Sequence, residues 1–91
     1  MAERRQGRAD QELVRALSHP VRLEILQVLQ GRIATPAELS REIDQRPAVV
    51  SYHANTLVSC GCLELVHSRG RRGAIENFFA VTPRSMFSGN G

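Results

Sequence analysis

The chain has no lysine and no tryptophan, one tyrosine, three phenylalanines and two cysteines in 91 residues. Each shortage excludes something. With aromatics at 4%, a core has to be built mainly from Leu, Val, Ile and Ala. Cys60 and Cys62, the only cysteines, flank Gly61, and a bridge between residues two apart is geometrically poor. As metal ligands they would need at least one more partner, such as His67, at a spacing that is absent. They read instead as two small apolar residues closing a helix. No apolar run approaches the length of a membrane span. The opening M-A-E-R-R-Q-G-R lacks the apolar stretch of a signal peptide, so a cytoplasmic protein is expected. No nucleophile–base pair, phosphate loop or carboxylate cluster appears, and so short a chain has little room for a cleft. An enzyme is not expected.

What is present suffices for one small domain with a single modest core. The chain is 42% hydrophobic and carries a net charge of +3, and all twelve of its basic residues are Arg. The charge is unevenly placed. Residues 1–45 hold seven Arg against seven acids, whereas residues 46–91 hold five Arg against Glu64 and Glu76, so the whole excess lies in the second half. A segregated basic excess favours a polyanionic partner.

The chain is organised around Thr35 to Leu63. Thr35 followed by Glu38 is a capping box, with Pro36 at the first helical position. Leu39 and Ile43 give that short helix one buried stripe. Asp44-Gln45-Arg46 breaks the pattern and Pro47 opens a second helix, expected to run to Ser59 with Gly61 as its left-handed stop. Val50, Ala54 and Leu57 fall together and face inward. Ala48, Val49, Tyr52, Asn55, Thr56 and Ser59 face outward, without the Glu/Arg pairs that dress a merely solvated helix. Small residues with Tyr and Asn suit a surface that enters a groove and hydrogen-bonds there. For His53 two readings stand, a phosphate contact on the outward side or a packed role.

Upstream, residues 1–9 are expected to form a loose arm. A first helix is expected from about Asp10 to Leu17, with Leu13, Val14 and Leu17 on one face. His19 is expected to cap or turn before Pro20. Pro20 opens a helix that Gly31 stops, in which Val21, Ile25, Val28 and Leu29 form a stripe widened by Leu23 and Leu26. That breadth marks it as the central core helix. Arg32-Ile33-Ala34 is a short link, possible as one small strand. Downstream, Leu63, Leu65 and His67 alternate onto one side of a strand, making His67 a partly buried core residue. Ile75, Asn77, Phe79 and Val81 do the same on a second strand, and Arg69-Gly70-Arg71-Arg72-Gly73 makes a basic turn between them. A tail from 83 to 91 follows.

This order specifies an α+β, mainly α, architecture: a winged helix-turn-helix of three to four helices with a C-terminal two-stranded β-hairpin wing, spanning residues 10–82. An α-helix fits the major groove of B-DNA, where every base pair shows a distinct donor and acceptor pattern. The hairpin tip can then lie along phosphates or the neighbouring minor groove.

The segments A-L-S-H-P-V-R-L-E-I-L (16–26), A-E-L-S-R-E-I (37–43), V-V-S-Y-H (49–53) and L-V-S-C-G-C-L (57–63) resemble the ArsR-type winged-helix transcriptional regulators over roughly residues 10 to 82. The resemblance implies double-stranded DNA as partner, bound as a dimer on a partly palindromic operator, usually in repression. Arg46, Ala48, Val49, Ser51, Tyr52, His53 and Asn55 would face the major groove, and Arg69, Arg71 and Arg72 the backbone or minor groove. Metal-sensing members carry Cys-x-Cys at the start of the third helix, where this chain has Thr35-Pro36-Ala37, or ligands on a C-terminal helix, where it reads P-R-S-M-F-S-G-N-G. No metal and no cofactor is therefore expected. Without that final helix, the first helix is the expected contact for a homodimer. Arg46 stands where a Ser or Thr cap is common. The alternative is a winged-helix protein-interaction module with little affinity for DNA.

Overall fold

Helix boundaries in the computed structural model, which describes residues 11 and 13–83, follow the local chemistry of the chain. The arm expected at 1–9 and residues 84–91 of the tail expected at 83–91 lie outside these residues. Helix α1 is helical at residues 13–16. Helix α2 (Pro20–Val28) opens on His19, whose Nδ1 accepts from the Val21 N–H. Helix α3 (Pro36–Glu42) carries the complete capping box. The Thr35 hydroxyl accepts from the Glu38 N–H, and the Glu38 carboxylate accepts from the Thr35 N–H. Helix α4 (Pro47–Ser59) begins after Arg46, which makes no side-chain capping bond.

The two linked helices, α3 and α4, end alike. Asp44 (φ 56°) and Gly61 (φ 80°) sit in the left-handed region one residue past each C-cap. The Gln45 N–H then reaches the Ser40 carbonyl at 3.0 Å, and the Cys62 N–H reaches the Leu57 carbonyl at 2.9 Å. This six-to-one closure satisfies orphan carbonyls and turns the chain sharply. Asp can replace Gly at the first site because its short polar side chain tolerates that conformation.

Strands β1 (Leu63–Arg71) and β2 (Ala74–Val81) form one antiparallel ribbon. The turn is tighter than the five residues expected. Arg71 pairs with Ala74, leaving only Arg72 (φ 52°) and Gly73 (φ 81°) in the bend, and two positive φ values match the right-handed twist of the strands. Ala34 adds a single bridge to Phe79, with N–O distances of 3.2 and 2.9 Å.

A register shift lies between Leu65 and His67: Leu65 pairs with Phe79, but His67 pairs with Phe78. Val66 is the extra residue of a bulge, and it exchanges the two faces of the strand from that point on. Leu63 therefore faces the core, while His67, Arg69 and Arg71 turn to the opposite side. This corrects the expectation for His67, which is exposed, its ring 5.3 Å from that of Phe78. Leu65 is also half exposed, because the ribbon leaves the core after its first pairs.

The core gathers Val21, Ile25, Leu26 and Leu29 of α2, Leu39 of α3, Val50, Ala54 and Leu57 of α4, and Leu63, Phe79 and Val81 of the ribbon. Cys60 and Cys62 are wholly buried within it. The hub is α4 rather than α2, since α4 packs against α2, α3 and β1. On α1 the buried residue is Ala16, with Leu13 partly buried, whereas Val14 and Leu17 are exposed. Among the described residues no helix is long and apolar enough to cross a membrane.

Candidate nucleic-acid interface

One side of α4 is committed to the core, and the other is open. Ala48, Tyr52, Asn55 and Ser59 are exposed, with Tyr52 at 62%. Arg46 is exposed just before the helix, while Val49, Ser51 and Thr56 are half-buried. The Thr56 hydroxyl donates to the Tyr52 carbonyl at 3.1 Å, so it is already engaged. No acid occupies the first turn of α4, which leaves the positive end of its dipole uncompensated.

His53 is not on the open face. It is 6% exposed, because positions 50, 53, 54 and 57 form one stripe at helical spacing. Its Nδ1 accepts from the Arg22 Nε at 3.1 Å, and Arg22 Nη1 donates to the Arg15 carbonyl at 2.7 Å. The His19 ring lies 4.2 Å away and the Tyr52 ring 5.0 Å. A polar chain thus runs from α1 through α2 to α4 and ends beside an exposed aromatic. Burial pushes the His53 pKa down, and the nearby His19 and Arg22 lower it further. The sequence reading missed Arg22, whose partner lies 31 residues away.

The ribbon stands beside α4. Ser51, Thr35, Pro36 and Ala37 line a groove of about 200 Å³ together with Ile75, Glu76 and Asn77 of β2. Arg69 lies opposite Glu76, and both its Nε (3.2 Å) and its Nη2 (2.8 Å) donate to Glu76 Oε1. Arg71 Nη1 lies 3.6 Å from the other carboxylate oxygen. The Arg69 hydrogen bond, then the charges of Arg69 and Arg71, hold the Glu76 carboxyl below its usual range. Arg72, in the bend, makes no ion pair among the described residues. Of the expected contact residues, the structure groups Ala48, Tyr52 and Asn55 on one face of α4, leaves Arg46 exposed just before it, half-covers Val49 and Ser51, and withdraws His53.

A short helix joined by a tight turn to a longer, partly exposed one is a helix-turn-helix, and a helix-turn-helix domain model matches residues 17–66. The chain belongs to the helix-turn-helix domain family. Its architecture is that of the ArsR-type winged-helix regulators. Reduced HlyU from Vibrio cholerae N16961 superposes with a TM-score of 0.74 at 20% identity, over 94% of this chain and 87% of that one. An ArsR family transcriptional regulator gives 0.72 at 22% identity, over 88% and 82%. The transcriptional repressor BigR from Xylella fastidiosa gives 0.67 at 25% identity, over 98% and 90%. None of the curated proteins compared matches the chain. This helix-turn-helix family and fold are those of DNA-binding transcription regulators, not of enzymes.

Proposed function

We propose that the chain binds duplex DNA in a sequence-dependent way and represses transcription. In this reading α4 lies in the major groove and the ribbon along the phosphates or the adjacent minor groove. The observation that carries it is the open face of α4, which lacks charge pairs and stands beside the ribbon that bears Arg69, Arg71 and Arg72. At 13 residues the helix is about 20 Å long, enough to cross a groove roughly 12 Å wide. Tyr52 and Asn55 offer hydrogen bonds to base edges. Arg46 and Arg72 supply the planar fork that grips phosphate. The similarity to BigR, a transcriptional repressor, favours repression over activation. Exposed Val14 and Leu17 favour pairing of two copies through α1.

Fluorescence anisotropy with duplexes selected from a random pool tests this. Arg72→Ala should weaken binding to every sequence and flatten the salt dependence by about 0.9 in the log–log slope. Tyr52→Ala or Asn55→Ala should instead change which sequence is preferred, by roughly 1–3 kcal/mol at one position. If neither class of variant moves duplex binding, the DNA reading fails and the exposed helix becomes a protein-docking face.

A further inference from the structure

We propose that Glu76 is a built-in competitor for phosphate, which occupies Arg69 and Arg71 and so limits how tightly the ribbon grips DNA; this rests on the DNA-binding reading above. Between Val66 and Phe78 the ribbon holds three arginines and a single acid, Glu76. That acid is spent on two of the three. One carboxylate oxygen takes two donors from Arg69 and the other faces Arg71. The Val66 bulge makes this possible, because it puts both guanidinium groups on the same side of the ribbon as Glu76. Arg69 is further held over the Phe78 ring, 5.3 Å from its centroid.

A carboxylate and a phosphate use the same edge of a guanidinium fork, so the two anions compete for it. Arg69 and Arg71 remain 54% and 61% exposed, which leaves a phosphate room to approach and displace Glu76. Arg72, in the bend, has no such competitor among the described residues. A purely structural ion pair would act the other way, since its loss would loosen the ribbon and weaken binding.

The full-length chain is titrated onto a selected duplex across a salt series, with Glu76→Gln, Arg69→Ala and the double variant. Glu64→Gln makes the same change of net charge on the same ribbon, with no arginine partner among the described residues. Glu76→Gln should bind several-fold tighter than wild type, with a salt slope steeper by about 0.9 for each arginine released. Glu64→Gln should produce a much smaller change. Arg69→Ala should cost more affinity in the Glu76→Gln background than in the wild type, where the carboxylate already occupies that guanidinium. If Glu76→Gln binds no better than Glu64→Gln, or binds more weakly, the competitor role is overturned while DNA binding stands. A wild-type chain with no salt-dependent duplex binding overturns both.

Discussion

His53 shows how one side chain can tie the outer helix to the rest of the domain. Its Nδ1 accepts from Arg22 and its ring lies tilted against that of exposed His19, so a proton on Nδ1 would set a cation against the Arg22 guanidinium. The folded-state pKa is depressed, so the unfolded chain takes up this proton first as pH falls. The stabilisation is present in full above about pH 6.5, the ordinary histidine value, and is lost as pH drops toward the folded value. Urea unfolding should therefore show lower stability near pH 5.5 than near pH 7.5, and His53→Asn should flatten that difference. An unchanged slope in the variant would assign the pH dependence elsewhere. The sequence left His53 between two readings. Its i+3 relation to Val50 and i−4 relation to Leu57 were the available signal, but a residue able to bind phosphate invites sorting by chemistry before position. Arg22 carried no comparable local signal, because its partner is brought near only by packing of α2 on α4.

Among the elements, helix starts and stops were the most legible feature. Thr35 with Glu38, Pro47 and Gly61 each act within four residues of chain, so their chemistry can be read without the fold. The ribbon was less so. The run L-E-L-V-H-S gives no sign that Val66 is an extra residue, since bulges are decided by pairing with the partner strand. The bend was read too long because glycines at 70 and 73 both look like turn residues, yet only Gly73 needs a positive φ. The bare N-terminus of α4 yields a further prediction. Arg46→Ser would supply the missing side-chain acceptor and should raise stability by ~0.5–1 kcal/mol in denaturant titrations. The same change removes a cation from the proposed groove face, so the salt slope for duplex binding should fall by about 0.9. A variant both more stable and equally salt-sensitive would remove Arg46 from the DNA-contact set.

At the scale of the whole molecule, the core and its order of elements followed from the pattern of apolar residues. The partner surfaces did not. Val14 and Leu17, expected on the same face as Leu13, are 67% and 42% exposed, because Ala16 is the α1 residue that enters the core. If α1 joins two copies, sedimentation of the wild type should show a dimer, and Val14→Glu with Leu17→Glu should shift it to monomer. Stability of the monomer should change by only about 0.5 kcal/mol, as both side chains are already outside the core. A monomeric wild type would remove α1 as the dimer contact. The bulge at Val66 carries a consequence for length variation in the ribbon. Strand residues alternate sides, so deleting Val66 would leave Leu65 opposite Phe79 and His67 opposite Phe78 in regular register, with Arg69 and Arg71 still outward. A bulge-free strand that paired Val66 with Phe78 would instead turn Arg69 and Arg71 toward the helices, so the outward guanidinium groups depend on one residue being skipped.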